Sequence, residues 1–160
     1  MVEINKTITL KLIFLISIIA LSSAFFIEYV LGHQPCNLCI LERIPYLMAI
    51  IIIVLNYKFI HLEKYFILLL ILVFLAATIL SLYHLGIEQG FIEESLVCDL
   101  KKGSDLVSKE DILKQLQEKN ISCKDVTFKI MGLSLTNYNI LICLLITISS
   151  PRIYLNYYKN

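Results

Sequence analysis

The chain has 160 residues, of which 58% belong to the AVILMFWYC set and only 17% are charged, with a mean hydropathy of +0.79. Soluble domains run at about 45–50% apolar and about 25% charged, and a chain this short has too little interior to hide the excess, so a water-soluble globule is excluded and a bilayer is required. Fourteen Lys and Arg against thirteen Asp and Glu leave a formal charge of +1, which removes the electrostatic basis for a nucleic-acid partner.

A membrane helix needs about 20 predominantly apolar residues, and four stretches are predicted to span, at about 10–31, 40–57, 65–83 and 130–150. In the first, Lys11 is placed to snorkel at one end and Glu28 sits near the other. Its alternative reading is a signal peptide, since Lys6 and Lys11 precede the apolar run and Ser22-Ser23-Ala24 is a weak small-residue site. The run is long for a signal core of about 7–15 residues. The uncharged part of the second stretch, residues 44–57, is too short to cross at about 1.5 Å per residue. Reaching back to Ile40 draws Glu42 and Arg43 to the membrane edge. Pro45 is comfortable only in a helix's first turn, which argues against a regular helix through this point. The fourth stretch is expected to close at Pro151.

Four spans place both termini on one side and the connections 32–43 and 84–129 on the other. Lys6, Lys11, Lys58, Lys64, Arg152 and Lys159 flank the first side, which the positive-inside rule makes cytoplasmic. Lysines within the long connection count against this orientation, and Arg43 stands alone in the short one. The expected fold class is therefore an all-α membrane protein, a single domain over 1–160 built as a four-helix transmembrane bundle, with both termini cytoplasmic and a long periplasmic loop. In that loop Ser108-Lys109-Glu110-Asp111 reads as an N-cap with an acidic first turn, followed by Ile112, Leu113 and Leu116 at helical spacing and closed near Lys119 and Asn120. A short amphipathic helix follows, lying on the membrane surface or packed against the loop. Phe91 and Ile92 offer a second surface contact.

Cys36, Cys39, Cys98 and Cys123 fall in the two outer connections, a compartment where disulfides persist. Residues 33–46 read HQPCNLCILERIPY. A CxxC pair can close a small disulfide or share a proton, which lowers a thiolate pKa and makes the pair redox-active. Haem attachment would need His directly after the second cysteine, where Ile40 stands. Zinc needs about four ligands, and Cys98 and Cys123 lack a CxxC or Cys/His spacing of their own, so no metal is expected.

Arg43 follows Cys39 by four residues, so a helix starting near Cys39 would stack the two. A guanidinium there would stabilise a thiolate and offer donors to a carbonyl ligand. The plainer reading is a snorkelling Arg paired with Glu42. His84 and Glu88 in YHLGIEQG, residues 83–90, sit at i, i+4 spacing where the third span emerges, with His84 either a structural hydrogen-bonding group or a ligand. Cys143, within LICLL, reads as a small buried apolar residue.

CNLCILERIPY is similar to the CxxCxxxR motif of the DsbB disulfide-bond formation proteins. YHLGIEQG, the separated Cys98 and Cys123, and GLSLTNYN at 132–139 recur at the expected places, so the resemblance covers nearly the whole chain. Phe128 stands where similar proteins often have Trp, and Leu135 where Met is common. The resemblance implies a multi-pass enzyme of the bacterial inner membrane, a thiol:quinone oxidoreductase that reoxidises a periplasmic DsbA-like oxidase of thioredoxin fold. It implies that Cys98 is attacked by the reduced partner, that Cys123 then attacks Cys36, and that the freed Cys39 passes electrons to a bound quinone, ubiquinone or menaquinone. Arg43 and His84 would assist at the quinone site. A partner poised at about −120 mV is a strong oxidant and needs an acceptor at least as oxidising.

Two other readings use the same residues. One is a membrane thiol reductase of the vitamin K epoxide reductase type. The other is a membrane scaffold stapled by structural disulfides, which typically sit below about −300 mV. Four cysteines allow three pairings, and spacing does not choose among them.

Overall fold

A computed structural model describes residues 2–93, 98, 122–124 and 129–158. The amphipathic helix expected at 108–120 lies outside the described residues, as does Phe128.

The described residues are mostly helical. Helix α1, Val2–Tyr29, carries Leu, Ile and Phe on every face and has no Gly or Pro to interrupt it. It ends through Gly32, whose φ of 72° only glycine adopts freely. A five-residue helix α2, Asn37–Leu41, precedes α3, Ile44–Lys58. After a single 3-10 turn at Ile60–Leu62 comes α4, Glu63–Glu88. A two-residue strand β1, Lys129–Ile130, pairs antiparallel with β2, Leu133–Ser134. Helix α5, Leu135–Tyr158, completes the order. Among the described residues three stretches are long and apolar enough to cross a membrane, Thr7–Tyr29, Asn37–Lys58 and Ile60–Glu88, with a shorter apolar helix at Leu135–Pro151.

Three boundaries differ from the sequence-based expectation, and the irregularity expected at Pro45 is present, each for a local reason. The second stretch is broken at Glu42 and Arg43 between α2 and α3, because Pro45 lacks an N–H and its ring would collide with the carbonyl of Leu41 in a continuous helix. Helix α4 runs to Glu88, so His84 and Glu88 are helical side chains rather than the start of a loop. The last helix begins at Leu135 and not near residue 130, since Met131 and Gly132 both take positive φ, 52° and 83°, and turn a tight hairpin. It also continues past Pro151. That proline forfeits one backbone bond, a loss that apolar helices absorb more readily than soluble ones do.

The long helices meet in one core. Leu10 and Ile13 of α1, Tyr46, Ala49, Ile52 and Ile53 of α3, Leu70, Phe74 and Ala77 of α4, and Cys143 and Ile146 of α5 are all buried together. The Tyr46 ring meets Phe74 edge-on, with centroids 5.9 Å apart, the arrangement that aromatic quadrupoles favour. Outward faces are as apolar as the interior: Ile19, Ile79 and Leu145 are exposed. Between apolar surfaces in a bilayer there is no hydrophobic force to join helices, and small or hydrogen-bonding residues do the work. The seam between α4 and α5 fits that rule, with Thr78 Oγ1 3.3 Å from Thr147 Oγ1 and Asn139 Nδ2 donating to Ser81 Oγ at 2.8 Å.

Candidate thiol-exchange site

A second cluster sits beyond the core, where Cys36, Leu38, Ile87 and Cys123 are buried together and Cys39, Cys98 and Tyr83 pack around them. All four cysteines of the outer connections are therefore in one place. Cys98 and Cys123 form a disulfide with Cα atoms 6.0 Å apart. Asn37 Nδ2 donates to the Cys98 carbonyl at 3.0 Å, tying that bridge to the start of α2.

Cys36 and Cys39 are unbridged, with sulfurs 2.6 Å apart. Cys36 precedes the first residue of α2, and its sulfur accepts the Cys39 N–H at 3.2 Å. The helical turn brings the CxxC sulfurs together because residues three apart share a face. The Cys39 thiol hydrogen bond is the main reason the Cys36 pKa falls from its ordinary value to about 5, with the His84 ring adding to it and burial opposing it. The lowered pKa favours the thiolate of Cys36, the reactive form of the pair.

His84 is nearly enclosed. Its Nε2 lies 3.6 Å from Cys36 Sγ, its Nδ1 lies 3.1 Å from Glu42 Oε1, and Thr136 Oγ1 approaches the same Nδ1 at 3.5 Å. A carboxylate on one ring nitrogen fixes which nitrogen faces the sulfur. Glu88, expected beside His84, instead accepts a hydrogen bond from Ser134 Oγ at 3.0 Å.

Arg43 does not pair with Glu42. Its Nη1 donates to Glu28 Oε2 at the end of α1, and its guanidinium lies over the Phe25 ring, 5.2 Å from the centroid. The break between α2 and α3 separates the two neighbours: Glu42 turns toward α4 and Arg43 toward α1.

A cavity of about 460 Å³ opens beside these groups. Ile16, Ala20 and Ile27 of α1 and Leu135 and Ile142 of α5 line it, and its polar lining includes Cys39, Glu42, Arg43, Tyr46 and Asn139, with His33 and Gln34 also on the wall. Small-molecule sites run at about 300–1,000 Å³ with apolar walls and few placed polar groups. Cys39 and Arg43 reach this cavity together despite the interrupted helix. His84 lies behind Cys36 and does not line the cavity.

Glu28, Glu42, Tyr46 and Asn139 were given no role at this site by motif or spacing. Tyr46 OH donates to Asn139 Oδ1 and lies 3.4 Å from Cys143 Sγ, so Cys143 touches a polar pair inside the core. The signal available for Asn139 is general: a polar side chain within an apolar span is expensive and needs a partner.

A bridged pair buried against an unbridged pair, one of whose sulfurs has a lowered pKa, is the equipment of disulfide exchange, and the apolar helices around it belong in a membrane. Residues 6–151 match the family described as disulfide bond formation protein DsbB, and the chain belongs to that family. It is also similar to an uncharacterized protein of Rickettsia prowazekii (strain Madrid E), 40% identical over 148 residues, 88% of this chain and 84% of the relative. No solved structure matches the chain. Family and helices together make this a membrane protein with a role in disulfide bond formation.

Proposed function

We propose that the protein reoxidises a periplasmic thiol oxidase of the DsbA type and delivers the electrons to a membrane quinone, ubiquinone or menaquinone. In this reading four spans cross the bacterial inner membrane with both termini cytoplasmic and the four cysteines periplasmic, as the flanking Lys and Arg favour. One observation carries the proposal: two cysteine pairs share a buried cluster, and Cys39 also lines an apolar cavity that holds Arg43.

The partner's thiolate attacks Cys98 Sγ, the Cys98–Cys123 bond breaks, and Cys123 leaves as a thiolate. Cys123 attacks Cys36 Sγ of an oxidised CxxC and expels Cys39. The partner's second thiol closes its own disulfide and releases Cys98, which then displaces Cys36 from Cys123. The partner has lost two electrons and two protons, and the inner pair has gained two electrons. This end point has Cys98–Cys123 bonded and Cys36 and Cys39 reduced. A bound quinone supplies the two-electron, two-proton acceptor that returns the inner pair to its disulfide. The residues fit such a group: the cavity walls are apolar, Cys39 brings a sulfur to them, and Arg43 keeps N–H donors beyond the one held by Glu28.

The test is reconstitution of the full chain with a reduced DsbA-like partner and quinone. Quinone reduction is expected, and Cys36→Ser or Cys98→Ser abolishes it. Unchanged rates in those variants would overturn the reading. Trapping the partner's redox state in cells separates this direction from the reverse: deletion leaves the partner reduced if the protein is an oxidase.

A further inference from the structure

The cluster that activates Cys36 has a second chemical capacity. Cys36 Sγ, Cys39 Sγ and His84 Nε2 all lie within 4.8 Å of one another, and each offers one ligand atom. We propose that with its CxxC reduced the protein binds a divalent cation of the zinc class at Cys36, Cys39 and His84, and that the bound ion holds the pair out of disulfide exchange.

The donor set is right for the metal. Zinc takes thiolate sulfur at about 2.3 Å and imidazole nitrogen at about 2.0–2.1 Å, and three protein ligands leave a fourth position for water. Tetrahedral geometry at those bond lengths separates sulfur and nitrogen ligands by about 3.6 Å. Cys36 Sγ and His84 Nε2 are already 3.6 Å apart. The two sulfurs, at 2.6 Å, would open to about 3.8 Å. Cys39 has room to do so because its side chain borders the cavity.

The surroundings meet the other requirements of a metal site, a satisfied outer shell and an entry path. Metal-bound histidines usually give their second nitrogen to a carboxylate, which fixes the tautomer and ring orientation. Glu42 Oε1 holds His84 Nδ1 in that way and leaves Nε2 directed at Cys36. Of the three ligands Cys39 lines the cavity, as do His33 and exposed Gln34, so a cation's approach is from the Cys39 side.

Binding moves protons but no electrons. Each sulfur that arrives as a thiol loses its proton to solvent as its bond to the cation forms. Oxidation of Cys36 and Cys39 to a disulfide removes two of the three ligands, so the site exists only in the reduced protein. It requires the dithiol and the histidine alone, and stands whichever partner or acceptor the enzyme uses.

The experiment uses the full chain in detergent micelles, with Cys98→Ser and Cys123→Ser so that the outer pair contributes no ligand. The reduced protein, freed of reductant without air, is titrated with cobalt(II) alone. Thiolate-to-cobalt absorption and the intense visible bands of a tetrahedral ion are expected, saturating at one equivalent and erased by zinc. The oxidised protein shows neither. His84→Gln weakens binding at least tenfold and alters the visible bands, and Glu42→Gln weakens it about 10–100-fold with the same ligands. No thiolate band in the reduced protein, or identical spectrum and affinity in His84→Gln, overturns the site. A second measurement needs no substitution: zinc protects Cys36 and Cys39 of the reduced natural chain from alkylation, mapped by mass. Equal labelling with and without zinc also overturns it.

Discussion

Glu42 Oε1 and His84 Nδ1 lie 3.1 Å apart, so the carboxylate next to Arg43 in sequence serves the histidine behind Cys36. The ring is thereby held with its other nitrogen toward the sulfur. Alkylation of Cys36 in the reduced protein, in chelator-treated buffer, should be half-maximal near pH 5, against about 8.5 for a free cysteine. The sign follows from the lowered pKa: the reactive thiolate is present above the midpoint and lost below it. His84→Ala should move the midpoint upward, and Cys39→Ala should move it further, because the Cys39 hydrogen bond is the larger cause. A midpoint unchanged in both variants would remove these contacts from the account of Cys36.

The Arg43 to Glu28 pair joins the break after α2 to the end of α1, with side chains 17% and 24% exposed. Burial that incomplete leaves some solvent screening, while hydrogen bonds to charged groups contribute about 1.5–3 kcal/mol. A double-mutant cycle with Glu28→Gln and Arg43→Gln, read by thermal unfolding in micelles, should give a coupling of about 1–2 kcal/mol. Additive effects would reduce the pair to a chance approach.

Two glycines in YHLGIEQG have different duties. Gly90 has a φ of 79°, Phe91 N–H reaches the Gly86 carbonyl at 2.9 Å, and Gly90 N–H reaches Ile87 at 3.0 Å, which is the Schellman closure of a helix. Gly90→Ala should cost about 1–2 kcal/mol, since a Cβ in the left-handed region meets the following carbonyl. At Gly86 a Cβ would come within 2.6 Å of Ile92 Cδ1, the end of a flexible side chain. Gly86→Ala should therefore be the milder change in Tm, and a reversed order would contradict this assignment.

Asn139 donates to Ser81 and accepts from Tyr46, joining three helices in the core. Hydrogen bonds between membrane helices average about 0.6 kcal/mol and reach about 1.7. Asn139→Ala should lose about 1–2 kcal/mol by thermal unfolding. Tyr46→Phe should lose less, because Asn139 keeps Ser81. Equal losses would mean the Ser81 contact contributes nothing.

What the sequence disclosed was what local spacing encodes. Cys36, Cys39 and Arg43 are near one another along the chain, and Pro45 announced the break that lies beside them. The pairings that build the site were hidden for a physical reason. The helices are apolar on all sides, so no stripe marks which face meets which neighbour, and Arg43 with Glu28 or Glu42 with His84 are joined only after packing. The hairpin before α5 was equally hidden, since Met131 is a poor advertisement for a positive φ and only Gly132 carried a turn signal.

The contacts along α4 and α5 form a rack with three teeth: Ser81 with Asn139, His84 with Thr136, and Glu88 with Ser134. A slip of one turn, about 5.4 Å, would disengage all three together. These two helices cannot slide by degrees, and they act as a chassis. The CxxC lies apart from that chassis, at the start of the short helix α2, where the helical run is interrupted at Glu42 and Arg43 before α3 begins.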